Sequence, residues 1–68
     1  MFFILVHERK VGKENRPVMI NPEKVEKIED NGKFGATIYF QEHCTHTVES
    51  YKDVVDMLKR GAIDERKN

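Results

Sequence analysis

The order of apolar and polar positions at the start of the chain predicts a β-strand with two apolar faces. Side chains alternate between the two faces of a strand. Phe2, Ile4 and Val6 would share one face here, whereas Phe3 and Leu5 would share the other. A half-exposed strand would instead alternate apolar with polar residues. The pattern therefore predicts that this strand is covered on both sides, by the rest of the fold or by a partner.

The middle of the chain shows further strand patterns separated by turn residues. Pro17 cannot donate to a strand ladder, so it is predicted at the start of a strand or on an edge strand. Residues 22–30 fit either a strand or a short helix, and the pattern leaves both open. Asn31-Gly32 is typical of a hairpin turn. Residues 35–41 then alternate, with β-branched and aromatic side chains that favour a strand.

One helix is predicted after the strands, from Ser50 to Arg60. The Ser50 hydroxyl can accept from the free N–H groups of the first turn. Gly61 is a typical residue just beyond a helix C-terminus. Apolar side chains at i, i+3, i+4 and i+7 form one stripe on this helix, and they are Tyr51, Val54, Val55 and Leu58.

The element order indicates an α+β fold. Sequential hairpins imply antiparallel pairing, so we predict a small antiparallel β-meander of four to five strands with one C-terminal helix. The pattern does not separate an open sheet from a partly open barrel. The 68 residues suffice for one domain, predicted over residues 1–61, followed by a frayed polar tail over residues 62–68.

Composition narrows the classes of function. Lys and Arg number 12 and Asp and Glu number 12, so the basic excess typical of nucleic-acid-binding proteins is absent. Cys44 is the only cysteine, which excludes an internal disulfide and favours a reducing compartment. The apolar run at the N-terminus is too short for a signal peptide or a membrane span. We therefore expect a cytoplasmic protein with no membrane association.

Cys44 and His46 are the residues whose spacing is compatible with metal chemistry. They are two apart in a predicted strand over residues 43–49, so they would project from one face. Thiolate and imidazole together suit zinc or copper, but structural zinc sites use two ligand pairs and the sequence shows no second pair. We therefore expect Cys44 to be a small buried hydrophobic residue, with no metal or other cofactor bound.

No residue pattern in the chain indicates catalysis. A nucleophile such as Cys44 would need a neighbouring base and an oxyanion loop. No glycine-rich loop of that kind is present, and so short a chain leaves little wall for a substrate pocket. We expect no enzymatic activity and no catalytic residues.

Positions from residue 18 to residue 59 follow a pattern of strand, Asn-Pro turn, hairpin and capped helix. The residues that carry it are Ile20, Asn21, Pro22, Val25, Ile28, Glu29, Gly35, Ile38, Phe40, Thr47, Val48, Glu49, Ser50, Val54 and Leu58. In these positions the chain resembles the FlbD-type family of small bacterial flagellar and swarming-motility proteins. The first strand is longer and more apolar than the family's short polar start, and a charged tail follows Gly61. The resemblance implies a non-enzymatic accessory protein of bacterial or phage origin.

The two-sided apolar strand is the strongest functional signal. An exposed apolar edge strand favours pairing with another chain, and self-association would enlarge a core that is short of burial. We predict a protein-interaction module that forms a homodimer, with an interface contributed by Phe2, Phe3, Ile4 and Leu5.

The alternative is a small nucleic-acid-binding module that uses the first hairpin and one sheet face. Tyr39 would stack on bases, as aromatic residues do on RNA-binding sheets, and the cations would be Arg9, Lys10, Lys13 and Arg16. Glu8 and Glu14 dilute this basic cluster, so nucleic acid is the less favoured partner.

Overall fold

Five strands and one helix make up the part of the chain described by the computed structural model, which covers residues 2–66 and the side chains of residues 2–61. The elements are β1 (Ile4–Glu8), β2 (Arg16–Ile20), β3 (Lys27–Asp30), β4 (Ala36–Tyr39), β5 (Cys44–Thr47) and α1 (Tyr51–Arg66). All strand pairs are antiparallel. The predicted α+β class is confirmed, and the sheet is open rather than closed into a barrel.

The strand order in the sheet is β2-β1-β5-β4-β3. Strands β3, β4 and β5 form a meander. Strand β1 of the β1–β2 hairpin pairs with β5, which is the edge strand of that meander. This junction is short, because Glu8 and Thr47 are the paired residues of β1 and β5. Backbone hydrogen bonds of 2.8 Å flank them, from Arg9 N to His46 O and from Val48 N to His7 O. The first half of β1 therefore extends beyond the end of β5.

The segment over residues 22–30 contains a turn followed by a strand. The Asn21 side chain accepts from the Glu23 N–H at 3.0 Å, and a 3-10 turn spans Pro22–Lys24. Strand β3 begins at Lys27, so the strand alternative is correct for the end of this segment. Pro17 lies in β2, an edge strand, as predicted.

The core lies between the sheet and α1. Its buried side chains are Ile4, Val6, Ile20, Ala36, Ile38 and Val54. On α1, Met57 and Leu58 pack against these residues beside Val54, whereas Tyr51 is 39% exposed. The helix face that packs against the sheet therefore includes Met57 and leaves Tyr51 partly exposed, unlike the predicted stripe.

Helix α1 does not end at Gly61. It continues to Arg66, so the predicted stop is wrong and the predicted boundary between domain and tail falls inside the helix. Gly61 instead has a packing role, because a Cβ built there would overlap the ring of Phe2. The N-terminus of the sheet is thus held against the helix backbone. Residues 67–68 of the predicted tail lie outside the described residues.

We expect Gly61→Ala and Phe2→Ala to be strongly coupled. In the wild-type background the new methyl group forces the Phe2 ring to move, so the stabilisation that alanine brings to a helix should be reduced or lost. In the Phe2→Ala background the same change should stabilise the protein by about 1 kcal/mol, since alanine favours helix over glycine. Urea denaturation of the four proteins of the cycle measures this. An equal effect of Gly61→Ala in both backgrounds would contradict the contact.

Gly35 allows a close approach between the start of β4 and the end of β5. Its φ is 92° and its ψ is −138°, a conformation that side chains disfavour. A Cβ at this position would overlap the carbonyl oxygen of Thr47. The β3–β4 connection that precedes it contains a 3-10 turn at Gly32–Phe34, so the hairpin is confirmed but is not a two-residue Asn-Gly turn.

We expect Gly35→Ala to destabilise the fold by more than about 3 kcal/mol, since backbone strain adds to overlap with a backbone carbonyl. Gly32→Ala is the matched control, because Gly32 also has a positive φ, 61°, but has no atom within 4 Å of the added Cβ. It should cost only about 1–2 kcal/mol. Urea denaturation followed by circular dichroism compares them, and equal losses would argue against the close approach.

Candidate functional site

The sheet face opposite α1, here called the open face, carries no α-helix within residues 2–66. The turn over residues 31–34 reaches one part of it, where Asn31 bonds to Thr37 and the Phe34 carbonyl oxygen accepts from Arg9. The strand register places odd-numbered residues of β1 and β2 on the open face together with even-numbered residues of β5. Its members are Phe3, Leu5, His7, Arg9, Pro17, Met19, Lys27, Glu29, Thr37, Tyr39, Cys44 and His46. One half of the open face is apolar, and the other half is polar.

The apolar half, here called the apolar patch, consists of Phe3, Leu5 and Met19. Their exposed fractions are 49%, 48% and 58%, respectively. Leu5 and Met19 are directly opposite each other in the β1–β2 register, so their side chains are neighbours. The patch lies where the β1–β2 hairpin extends beyond the end of β5.

The four residues of the predicted interface are divided between two faces. Ile4 is 4% exposed and belongs to the core, and Phe2 packs against the core from the same side. Phe3 and Leu5 remain accessible on the open face. Met19 is an accessible apolar neighbour that the sequence analysis missed, because only the register of β1 with β2 shows that it lies beside Leu5.

Cys44 and His46 lie next to each other on the polar half and are here called the Cys44–His46 pair. The distance from Cys44 Sγ to His46 Nε2 is 3.9 Å. His46 Nδ1 lies 3.0 Å from the Thr37 hydroxyl oxygen, and the same hydroxyl oxygen accepts from the side-chain amide of Asn31. The Thr37 hydroxyl therefore fixes the Nδ1 side of the imidazole ring, and Nε2 faces the Cys44 thiol.

The prediction that Cys44 is buried is wrong, because its side chain is exposed. Strand β5 instead turns Thr45 and Thr47 toward the core, where they are 6% and 0% exposed. A buried hydroxyl needs a hydrogen-bond acceptor. Thr47 finds one in the Glu49 carbonyl oxygen at 2.8 Å, so a polar residue can occupy the inward position.

The described residues contain no group of three or more His, Cys, Asp and Glu side chains that could hold a metal ion. His43 lies outside the Cys44–His46 pair and stacks on Phe40, with ring centroids 4.6 Å apart. His7 is hydrogen-bonded to Glu49. Within these residues, one chain supplies two neighbouring ligands and not a complete zinc site.

The cations of the first hairpin are engaged by a carboxylate on β1. Glu8 lies 2.8 Å from Arg16 Nη2 and 3.2 Å from Lys10 Nζ. The Lys10 hydrogen bond is the main cause that holds the pKa of Glu8 below its ordinary value, and the charge of Arg16 adds to it. Two of the four predicted nucleic-acid-binding cations are thus partly neutralised within the chain.

Tyr39 and Arg9, the two residues of the nucleic-acid alternative that lie on the open face, also have partners. The Tyr39 hydroxyl donates to Glu29 at 2.6 Å, a hydrogen bond that raises the pKa of the phenol. Lys27 Nζ lies 4.6 Å from the centre of the Tyr39 ring, where a base would stack. Arg9 donates to the Phe34 carbonyl oxygen at 3.0 Å. These contacts compete with nucleic acid, and Lys13 lies on the exposed hairpin loop.

A cleft of about 420 Å³ lies at the end of the sheet where β4 turns into β5. Its walls include Val25, Phe40 and His43, together with the carboxylates of Glu26 and Glu42. The lining contains no cysteine, serine or threonine to act as a nucleophile.

Glu49 completes the hydrogen bonding of β1 where β5 stops. Its carboxylate accepts from the His7 backbone N–H at 2.8 Å and from the His7 ring Nδ1 at 2.7 Å. Burial raises the pKa of Glu49, but the hydrogen bonds from His7 outweigh burial and hold the pKa below its ordinary value. A side chain thus takes the place that the next strand residue would occupy beside β1.

We expect Glu49→Gln to lower the free energy of unfolding by about 1 kcal/mol at neutral pH, since hydrogen bonds to an ionised group are lost at a partly exposed site. A depressed folded-state pKa stabilises the fold above the ordinary carboxyl pKa, and this contribution is lost as the pH falls through the folded-state value. The difference between wild type and Glu49→Gln should therefore shrink below about pH 4.

Urea denaturation at several pH values measures this difference. The exposed Glu42→Gln is the control, since Glu42 lies on a turn, and it should change stability little at any pH. A gap between wild type and Glu49→Gln that does not change with pH would contradict the role of the ionised carboxylate.

No family model, curated protein or solved structure matches this chain. The resemblance to the FlbD-type family therefore stays a prediction. Across the described residues, none of the helical segments has both the length and the hydrophobicity needed to cross a lipid bilayer.

Proposed function

We propose that this chain is a non-enzymatic protein-interaction module that self-associates as a homodimer through the apolar patch. The observation that carries the proposal is the two-sided apolar character of β1. Helix α1 covers Ile4 and Val6, which are 4% and 0% exposed, but Phe3 and Leu5 on the other face remain 49% and 48% exposed. A second copy would bury them.

Charge also favours a second copy as the partner. The formal net charge is zero, so two identical chains do not repel each other as whole molecules. A two-fold dimer apposes the same patch from both copies, so Leu5 and Met19 would meet the same residues of the partner copy. The lone cysteine favours a reducing compartment, and we place the dimer in the cytoplasm, as an accessory protein of bacterial or phage origin.

We expect Leu5→Asp to weaken the dimer at least about tenfold, because a carboxylate would be buried in the apolar interface. Sedimentation velocity over a range of concentrations measures the dimerisation constant, and circular dichroism confirms folding. Met19→Asp is a second variant on the neighbouring strand, for the case that Leu5→Asp disturbs β1.

Val11→Asp is the matched control, since Val11 is 96% exposed on the loop of the first hairpin and lies outside the patch. It should leave the dimerisation constant unchanged. A wild-type protein that stays monomeric at high micromolar concentration would rule out the proposal. So would a dimer that Leu5→Asp and Met19→Asp do not weaken.

A further inference from the structure

We propose that two copies of this chain bind one zinc ion between them, with Cys44 and His46 of each copy as the four ligands. The proposal rests on the proposed self-association through the open face. It assigns a function to the exposed polar half of that face, which the apolar patch leaves unexplained.

The geometry of the Cys44–His46 pair suits one edge of a tetrahedral site. Zinc binds cysteine sulfur at about 2.3 Å and histidine nitrogen at about 2.0–2.1 Å, which places two such ligands about 3.6 Å apart in a tetrahedron. The distance from Cys44 Sγ to His46 Nε2 is 3.9 Å. Both side chains are exposed, so a metal ion can reach them with only a small adjustment.

The imidazole ring of His46 is also oriented as zinc-bound histidines usually are. In such sites the ring nitrogen that does not bind metal donates to an oxygen, which fixes the tautomer and the ring orientation. His46 Nδ1 lies 3.0 Å from the Thr37 hydroxyl oxygen. Thr37 is itself 2% exposed and fixed by the Asn31 side chain. Nε2 is the ring nitrogen that faces the Cys44 thiol, and metal binding requires the tautomer in which Nδ1 donates to Thr37.

A single chain cannot complete the site, because the described residues bring no third ligand to the pair. Two copies supply two thiolates and two imidazoles, which is a common structural zinc set. Each thiol gives up its proton to solvent on binding. The two thiolate charges then balance the zinc ion, so the dimer gains no net charge.

The shared open face allows one dimer to use both features. Face-to-face sheets pack about 10 Å apart, so an ion midway would lie about 5 Å from each sheet. Along β1, Leu5 is about 13 Å from Arg9, and Arg9 is the neighbour of His46 on β5. A two-fold axis can lie between the two sheets and pass over both Leu5 and His46. Such a dimer would bring together the two apolar patches and also the two Cys44–His46 pairs.

The test is a titration of the metal-free, untagged, reduced protein with zinc, and with cobalt(II), whose visible spectrum reports tetrahedral thiolate coordination. We expect one metal ion per two chains and a tighter dimer in zinc than in chelator. Cys44→Ser and His46→Gln should abolish binding. Thr37→Val keeps all four ligands and should weaken binding by about 10–100-fold. His43→Gln is the matched control, since His43 stacks on Phe40, and should bind like wild type.

The outcomes separate this inference from the proposed function. A dimer in chelator that binds no zinc overturns the metal site and leaves self-association through the apolar patch intact. Zinc-dependent dimers that Leu5→Asp does not weaken support the metal site and overturn the role of the patch. One metal ion per chain, or binding that survives Cys44→Ser, overturns the shared site. A protein that is monomeric with and without zinc overturns both.

Discussion

The rest of the structure depends on how the chain leaves the sheet between Thr47 and Ser50. The Thr47 hydroxyl donates to the Glu49 carbonyl oxygen at 2.8 Å, and the Glu49 carboxylate accepts from β1 at the same distance. The Ser50 hydroxyl then accepts from the Asp53 N–H at 3.1 Å, which caps α1. Gly35 lets β4 approach this backbone closely. Side-chain hydrogen bonds thus accompany the change from strand to helix on both sides of this turn.

This exit point also determines which surface is left accessible. Because β5 ends at Thr47, the first half of β1 has β2 on one side and no β5 residue on the other. Helix α1 crosses only the core face, where Ile4 and Val6 are buried. Phe3 and Leu5 therefore remain exposed even though they lie on the most apolar strand of the chain. The surface proposed for self-association is a consequence of the same turn that starts the helix.

Local patterns predicted the elements well, and the errors came from contacts between distant residues. The Ser50 cap, the edge position of Pro17 and the hairpins each follow from a few neighbouring residues. Gly61 has the local features of a helix stop, but its role depends on Phe2 at the other end of the chain. The inward side of β5 depends on its register with β4, which pairs Thr47 with Ala36. Alternation alone defines two faces and does not say which of them is buried.

For the candidate site, too, the sequence predicted what local spacing determines and not what contacts between distant residues determine. The spacing of Cys44 and His46 places both on one face, and that much is visible in the sequence. The orientation of the ring depends on Thr37 and Asn31, which reach it only through the β4–β5 pairing and the β3–β4 turn. A domain of this size usually needs a disulfide, a metal ion or a partner to add stability. With one cysteine, the chain has no internal disulfide, and the stabilising link that we propose is a metal ion shared between two copies.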